Sequence, residues 1–400
     1  MKPTGVNMTN VKQINRSGVL ELLLTRGAMA RSDLAAELNL TTATLTSICS
    51  DFMQKGILVE SGPAETHFTG RKKYPLSICY TYRYVVAISL HYLSNVIAVT
   101  DLAGNPVAVE AFPVAQYPDP QSFFKAVAAA CIRLLWENGI PSERVLGAGV
   151  CIIGAVDQDN GIALNPFKFF DGSPLPIRDL LEKEFPFPVC VENNVCSFLT
   201  AETLYGSARG NHLMAVRWGP GVGSASCSNG SICKDHNYHS SEIGHTLFYR
   251  DSKTRCKCGR TGCLETGVGL ASLTAAIRQM LPTEPALQAL AQQYGKPNLQ
   301  NIHAFLDSGV PALASEFSRC RKDLAIGVSN AIQVFSPDQI VLYGTLFERE
   351  TIFRQFISDI QAISPGLEES LFIRSTLDSK REYIGPVAVA VKRYLLEPGG

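Results

Sequence analysis

The sequence predicts an α/β protein that is preceded by a small helical domain ending in a β-hairpin. Residues 1–80 contain three short helical patterns followed by two strand patterns, and they carry nine Lys and Arg against six Asp and Glu. From Tyr84 onward, strand patterns rich in β-branched residues alternate with amphipathic helices. This alternation is typical of sheets covered by helices.

The helical domain is predicted from local start and stop signals. The predicted helices span Val11–Thr25, Ser32–Leu38 and Thr42–Lys55. Gly27, just after the first helix, is typical of a C-cap, and Ser32 is the expected N-cap of the second. Asp33 then lies in the first turn, where a carboxylate is favourable to the helix dipole. A tight turn, Asn39-Leu40-Thr41, joins the last two helices.

The third helix has two different faces. Apolar residues recur at helical spacing on one face: Leu45, Ile48, Cys49 and Phe52. The opposite face is small and polar, which suits entry into a DNA groove. We expect DNA contacts from Ala43, Thr46, Ser47 and Ser50.

Two strands, Ile57–Glu60 and Tyr74–Cys79, are predicted after the third helix and flank a basic run. Three helices and a hairpin form a winged helix-turn-helix. Arg71, Lys72 and Lys73 are expected to bind DNA phosphates. A three-helix bundle used for dimerisation is the alternative, and the basic run favours DNA.

Composition and charge exclude several classes of protein. Hydrophobic residues make up 46% and the net charge is zero, which excludes intrinsic disorder and a uniformly basic nucleic-acid-binding protein. The longest apolar runs, such as Val145–Val156, fall short of the ~20 residues that a membrane-spanning helix needs. Because Met1–Asn10 is polar, we expect no secretory signal, no membrane partner and a cytoplasmic protein. Most of the 12 cysteines are then expected to be reduced and buried.

Four residues have the chemistry of a metal site. Three cysteines lie within eight residues, in Cys256-Lys257-Cys258-Gly259-Arg260-Thr261-Gly262-Cys263, and His245 lies upstream. Three thiolates and one imidazole form a complete tetrahedral set for Zn²⁺ with no open position for a catalytic water. We therefore expect one structural zinc ion per chain, held by His245, Cys256, Cys258 and Cys263. Three reduced cysteines in a basic loop without metal are the alternative.

Several segments resemble the ROK family of repressors, open reading frames and sugar kinases. The matching segments are Ser241–His245 with Cys256–Glu265, Gly219–Gly223 and Val191–Asn194. The resemblance extends from Tyr84 to the end of the chain. It implies a two-lobed actin-like ATPase (ROK) fold with a sugar in the cleft. The expected domains are the winged helix-turn-helix at 1–82, a smaller α/β lobe at 83–194 to which a C-terminal helix at 385–400 returns, and a larger lobe with the zinc site at 195–384.

The sequence departs from the family pattern at the positions that a kinase needs for phosphoryl transfer. Asn194 stands where the kinases have an aspartate as general base, and an amide cannot accept the proton. In the first phosphate loop, His91 and Tyr92 replace glycines that let the backbone approach a phosphate. In the second phosphate loop, Pro220 replaces a threonine. Because general base and phosphate loops are both altered, we expect no enzyme activity.

The sugar side of the pattern is kept. By resemblance, the residues expected to hydrogen-bond sugar hydroxyls are Asn165, Asn193, Asn194, Glu242, His245 and Glu265. Amides and carboxylates suit this role because they share hydrogen bonds with hydroxyl groups. Glu242 and Glu265 could instead orient the zinc ligands, and the two roles are compatible.

Together these features lead us to expect a sugar-responsive DNA-binding transcriptional regulator, in the first place a repressor, of the family's repressor branch. Its expected partners are operator DNA and a sugar or sugar phosphate. Because one small DNA-binding module buries little surface, a homodimer or tetramer is expected. The alternatives are an ATP-dependent sugar kinase with an accessory DNA-binding head and a regulator controlled by a protein partner.

Overall fold

The structure, a computed structural model, describes residues 7–60, 74–91, 95–113, 117–167, 169–380 and 382–400. Contacts along the chain divide it into two compact units. The first unit comprises Met1–Gly206 together with Lys380–Gly400, and the second comprises Ser207–Ser379. In the described parts of the chain, no helix has the length and apolar character needed to cross a membrane. The finer domain boundaries expected from the sequence stay predictions.

The N-terminal part of the first unit, which we call the head, has three helices and a two-stranded sheet. Its elements are α1 (Met8–Arg26), α2 (Arg31–Glu37), α3 (Thr42–Gln54), β1 (Leu58–Glu60) and β2 (Leu76–Ile78). The two strands pair in antiparallel register, with Leu58 opposite Ile78. The predicted helices and strands of the head are thus confirmed. The basic run Arg71, Lys72 and Lys73 lies outside the described residues.

The backbone confirms the predicted C-cap at Gly27 and explains the predicted start of α3 at Thr42. Gly27 follows α1 with a φ of 78°, a conformation that favours glycine. Thr41 is the N-cap of α3, and its side chain accepts a hydrogen bond of 3.2 Å from the amide of Thr44. The apolar face of α3 is buried as expected, through Leu45, Ile48, Cys49 and Phe52.

The prediction that Ser32 is the N-cap of the second helix is wrong. The helix begins at Arg31, and its N-cap is Ala30. Met29 and Leu76 exchange backbone hydrogen bonds of 3.0 and 2.8 Å in an isolated β-bridge. This long-range bridge holds the chain extended up to Ala30, so the N-cap lies two residues earlier than local signals indicate.

The remainder of the first unit is a mixed α/β layer. Its elements up to residue 206 are β3 (Tyr84–Leu90), β4 (Asn95–Asp101), β5 (Pro106–Phe112), α4 (Pro120–Glu137), β6 (Val145–Ile152), β7 (Val156–Asp157), β8 (Ile162–Ala163), β9 (Leu175–Pro176), α5 (Ile177–Glu182), β10 (Val189–Asn193) and α6 (Asn194–Tyr205). Five strands form the main sheet in the order β10-β6-β3-β4-β5, and β7, β8 and β9 form a small antiparallel sheet. The core includes Val86, Ile88, Val99, Phe123, Phe124 and Val150.

The second unit has the same kind of layer. Its elements are β11 (His212–Trp218), β12 (Val222–Ser228), β13 (Ser231–Ile232), α7 (Glu265–Val268), α8 (Leu270–Met280), α9 (Pro285–Tyr294), α10 (Ile302–Leu306), α11 (Pro311–Phe335), β14 (Gln339–Tyr343), α12 (Glu350–Ile363) and β15 (Phe372–Arg374). Its five strands have the order β13-β12-β11-β14-β15. The core includes Trp218, Leu264, Leu273, Phe305, Phe317 and Phe356.

The two main sheets have the same pattern of strand directions. In the first, β10, β6 and β3 are parallel, while β4 and β5 are antiparallel additions. In the second, β15, β14 and β11 are parallel, while β12 and β13 are antiparallel additions. The same layer is therefore built twice, which the sequence did not reveal because it contains no visible repeat. The predicted α/β class is confirmed.

A C-terminal helix returns to the first unit. It consists of α13 (Ile384–Val391) and a π-helical continuation at Lys392–Leu396, and we call the two together the closing helix. The closing helix packs against β6 and α6. Contact with β6 is so close that a Cβ atom on Gly149 would lie 1.9 Å from the carbonyl oxygen of Pro386.

Candidate functional site

Four predicted metal ligands come together in the second unit. One ligand atom from each of His245, Cys256, Cys258 and Cys263 can be chosen so that all four lie within 4.8 Å of one another. Nδ1 of His245 lies 3.5 Å from Sγ of Cys256, and the Sγ atoms of Cys258 and Cys263 lie 3.6 Å apart. In a tetrahedral site with Zn–S bonds of ~2.3 Å, neighbouring sulfur atoms lie about 3.8 Å apart. The arrangement can therefore hold a metal ion of this kind.

Backbone hydrogen bonds bring the three cysteines together. The amide of Cys256 donates to the carbonyl oxygen of Arg260 at 2.8 Å, which closes a tight turn. Gly262 has a φ of 75°, and a Cβ atom there would lie 2.5 Å from the carbonyl oxygen of Tyr249. Only glycine fits this position, so Gly262 lets the loop fold back close to Tyr249.

Burial and hydrogen bonds shift the pKa values of the candidate ligands in different directions. Burial raises the pKa of the Cys256 thiol to about 12 and raises that of Cys263. At Cys258 burial acts in the same direction, but hydrogen bonds from Arg260 outweigh it and lower the pKa of that thiol. Burial lowers the pKa of His245, which favours the neutral imidazole that metals bind.

Glu265 lies beside the cysteines at the start of α7. Its Oε2 atom accepts a hydrogen bond of 3.0 Å from the amide of Val222, and its Oε1 atom lies 3.2 Å from Nζ of Lys257. The same Oε1 atom lies 3.8 Å from Sγ of Cys256. The carboxylate thus links the metal loop to the Gly219–Gly223 turn, so it has a structural role whether or not it also contacts a sugar.

Glu242 precedes the short 3₁₀ turn that carries His245. Its carbonyl oxygen accepts from the amide of His245 at 3.0 Å, and its Oε1 atom lies 3.1 Å from Nδ1 of His239. The side chain is 38% exposed. Two of the candidate sugar residues in the second unit carry a carboxylate, and that of Glu242 is the more accessible. His245 and Glu265 are held by the metal loop.

The other candidate sugar residues lie in the first unit, where two of them meet at Gly154. Asn193 donates from Nδ2 to the carbonyl oxygen of Gly154 at 2.9 Å, and Asn165 accepts from the amide of Ala155 at 2.6 Å. A Cβ atom on Gly154 would lie 2.3 Å from the carbonyl oxygen of Asn165. Asn194 is half-buried in the first turn of α6. The loop after β6 and the start of α6 therefore place these three residues.

The turn that resembles a phosphate loop is closed by its own hydrogen bonds. The amide of Gly219 donates to the carbonyl oxygen of Gly221 at 3.1 Å, and the amide of Val222 donates to Glu265. Pro220 has no amide hydrogen. These three positions therefore offer no free backbone donor to an anion.

The expected DNA-binding face is exposed. Ala43, Thr46, Ser47 and Ser50 are all exposed on α3. They lie opposite the buried apolar residues, as the helical spacing predicts. Only small side chains occupy this face, so the helix backbone could approach a groove closely.

Sequence reasoning missed a support behind the metal loop. Arg319 on α11 donates from Nη2 to the carbonyl oxygen of Gly267 at 3.1 Å and pairs with Asp323 at 2.6 Å. Asp323 also accepts from the Tyr249 hydroxyl at 2.8 Å. This network fixes α7, which carries Glu265. No local spacing signals it, because the partners are distant in sequence.

Comparison with known proteins supports the reading of both fold and family. The ROK family model matches residues 94–391. The chain is 26% identical over 403 residues to the DNA-binding transcriptional dual regulator NagC of Escherichia coli (strain K12), across 98% of this chain and 95% of that protein. It is 21% identical over 409 residues to the xylose repressor of Caldicellulosiruptor bescii, across 98% of this chain and 99% of that protein.

The fold has a full-length counterpart among solved structures. The crystal structure of a ROK family transcriptional regulator, a homologue of the E. coli MLC protein, superposes with a TM-score of 0.77 and 19% identity over 97% of both chains. With the two matching mixed sheets, this likeness confirms the expected two-lobed actin-like fold. Because the family model matches more than half of the chain, this protein belongs to the ROK family.

Proposed function

We propose that the protein is a sugar-responsive DNA-binding transcriptional repressor without kinase activity. The observation that carries the proposal is the exposed small face of α3, formed by Ala43, Thr46, Ser47 and Ser50, in a three-helix head with a hairpin. A relative named as a repressor and one named as a DNA-binding transcriptional dual regulator each match 98% of the chain, head included.

DNA is read by the α3 face, whose side chains reach base edges in a groove. The basic run Arg71, Lys72 and Lys73 contacts phosphates, which position the protein on the duplex without specifying sequence. Because one head buries little surface, the protein acts as a homodimer or larger assembly on an operator with two half-sites.

The effector is a sugar or sugar phosphate, with Asn165, Asn193 and Asn194 as candidate ligands in the first unit and Glu242, His245 and Glu265 as candidate ligands in the second. The names of the xylose repressor and of an N-acetylglucosamine repressor of Escherichia coli O157:H7, which is 26% identical across 98% of this chain, support xylose and N-acetylglucosamine as first candidates. Binding changes DNA affinity only if the sugar prefers one of two arrangements of the protein.

The metal loop holds one structural zinc ion. The donor set of three thiols and one imidazole and the near-tetrahedral spacing of its atoms support this assignment. When bound, the ion fixes the loop that carries Glu265 beside His245. Because the four protein ligands complete the coordination, zinc supplies rigidity here and no reactive water.

The absence of kinase activity follows from two features of the phosphate and base positions. Asn194 has no carboxylate to accept a proton from a sugar hydroxyl. In the Gly219–Gly223 turn, the amide of Gly219 is engaged with Gly221, that of Val222 is engaged with Glu265, and Pro220 has no amide hydrogen. A kinase relies on such backbone donors to hold the transferred phosphate.

DNA binding is tested by selecting sequences from a random double-stranded pool with the full-length protein and measuring the dissociation constant of the selected DNA. Ala43→Glu adds a negative charge to the α3 face and is expected to weaken binding at least about tenfold. Ala129→Glu adds the same charge to an exposed alanine of α4 and serves as the matched control. Equal effects of the two variants, or failure to select any sequence, would contradict the proposal.

The response to sugar is tested with the same selected DNA. Xylose, N-acetylglucosamine and its phosphate ester are each titrated into the protein–DNA complex. A sugar that shifts the dissociation constant identifies the effector class. The kinase alternative is tested by ADP release across hexoses, and turnover above background that survives in Asn194→Ala would show that the base argument is misplaced and would support the kinase instead.

A further inference from the structure

Side chains of α1 cap the end of the closing helix. Ser17 donates from Oγ to the carbonyl oxygen of Leu396 at 2.5 Å, and Gln13 donates from Nε2 to that of Glu397. Arg16 donates from Nε to the carbonyl oxygen of Gly399 at 2.6 Å. The last carbonyl groups of a helix have no partner within the helix itself. Here the head supplies donors to the carbonyl groups at this end, in addition to the amide of Gly399, which donates to that of Leu396 at 2.9 Å.

The three donors form one face of α1. Their positions, 13, 16 and 17, are separated by three and four residues, so their side chains lie side by side on a helix. The same helix contacts α6. Gly399 has a φ of 79°, and a Cβ atom there would lie 3.0 Å from Cβ of Arg16. The backbone of the closing segment therefore lies directly against this face.

Arg16 also holds the helix that carries the DNA-binding face. Its Nη1 atom lies 2.6 Å from Oδ2 of Asp51, and its guanidinium carbon lies 4.3 Å from the centre of the Phe52 ring. Both partners belong to α3. Arg16 is only 9% exposed. A planar guanidinium presents several donors in fixed directions, so it can serve the closing helix and α3 at the same time.

The closing helix in turn contacts the elements of the first unit that place Asn193. It packs on β6 and α6. Asn193, a candidate sugar residue, is the N-cap of α6 and accepts from the amides of Val195 and Cys196. Packed elements of the first unit therefore connect Asn193 to Arg16, and Arg16 connects them to α3.

We propose that Arg16 is a positioning residue that fixes α3 on the body of the protein and thereby sets the half-site spacing that the dimer accepts. The inference rests on the proposed function. Two heads held rigidly match one separation of half-sites, whereas heads on a loose joint tolerate several. Loss of the Arg16 contacts should therefore change which half-site spacings the protein binds, while its affinity for unrelated DNA stays the same.

The test uses the full-length protein and the DNA selected by the wild type, together with derivatives in which base pairs are inserted between the half-sites. For the wild type, the inserted pairs should weaken binding at least about tenfold. We call the factor by which the inserted base pairs weaken binding the spacing ratio. For Arg16→Gln we expect the spacing ratio to fall to about threefold or less, with unchanged affinity for unrelated DNA. Arg16→Lys keeps the charge but not the fork of donors, so we expect it to restore the ratio only in part.

Two further variants separate positioning from folding. Arg26, on the same helix as Arg16, forms an exposed ion pair with Glu37 of α2, and Arg26→Gln, which breaks that pair, should keep the wild-type spacing ratio. Asp51→Asn leaves the contacts of Arg16 with the closing helix in place and should relax the spacing ratio without lowering the melting temperature appreciably. Wild-type spacing ratios in both Arg16→Gln and Asp51→Asn would overturn the inference alone. A wild-type protein that selects no DNA would overturn the proposed function as well.

Discussion

Asn193 donates a hydrogen bond of 2.9 Å from its side-chain nitrogen to the carbonyl oxygen of Gly154. Its Oδ1 atom meanwhile accepts from the amides of Val195 and Cys196 at the start of α6. A residue singled out as a sugar ligand is therefore also a structural joint. One amide hydrogen remains for a sugar hydroxyl, so the two roles can be combined.

Replacement of Asn193 should therefore cost stability as well as sugar affinity. Asn193→Ala removes the helix cap and should lower the free energy of unfolding by about 1–2 kcal/mol. Asn193→Ser keeps a capping oxygen and should lose less. Urea unfolding of both variants measures the difference, and equal losses would show that the cap does not contribute.

Replacement of a candidate zinc ligand should release the metal. Cys258→Ala is expected to lower the zinc content from about one ion per chain to near zero. The melting temperature should fall by roughly 5–10 °C, since the loop loses its cross-link. Metal analysis and calorimetry check both values. Cys233→Ala, at an exposed cysteine away from the cluster, is the matched control, and full zinc content in Cys258→Ala would refute the ligand assignment.

The contact between the closing helix and β6 leaves no space for a side chain at Gly149. A Cβ atom there would lie 1.9 Å from the carbonyl oxygen of Pro386, and backbone cannot move aside as a flexible side chain can. Gly149→Ala should lower the free energy of unfolding by about 3 kcal/mol. Gly366→Ala meets nothing within 4 Å and should be nearly neutral. Chemical denaturation of the two variants gives the comparison.

Asp338 predicts a pH dependence for the second unit. Its Oδ2 atom accepts from the amides of His212 and Asn211 at 2.8 and 2.7 Å, and these bonds hold the pKa of the carboxyl below its usual value of 3.8. The ionised form is thus favoured by folding, so its contribution is present above the unfolded pKa. It is lost as pH falls through the lower folded pKa.

Asp338→Asn should accordingly be less stable than the wild type near neutral pH, and the difference should shrink below pH 3.8. The measurement is urea unfolding at several pH values in a Trp136→Phe background, where buried Trp218 reports on the second unit. Asp307→Asn, at an exposed carboxylate paired with Arg349, is the control and should change stability little. A difference that grows in acid would contradict this assignment.

Features governed by local sequence were predictable. Gly27 and Thr41 mark the ends of head helices because their roles depend only on neighbouring backbone groups. The metal ligands were also predictable, since their chemistry is specific and they span a short stretch between His245 and Cys263. The family resemblance supplied the two-lobed architecture, which periodicity by itself could not.

Features governed by distant contacts were not predictable. The start of α2 depends on the bridge between Met29 and Leu76, which no local signal indicates. The strands β7, β8 and β9 have two residues each, too few for a periodic pattern. The second role of Asn193 likewise depends on Gly154, which lies in a different loop. In each case the deciding partner is far away in the sequence.

The bond between Arg16 and Gly399 spans 383 positions of the chain. During synthesis, the head emerges from the ribosome before the segment that receives it. A product that terminates before the closing helix would therefore lack this joint and keep only the contacts between α1 and α6. Attachment of the head through Arg16 thus depends on synthesis of the chain as far as Gly399.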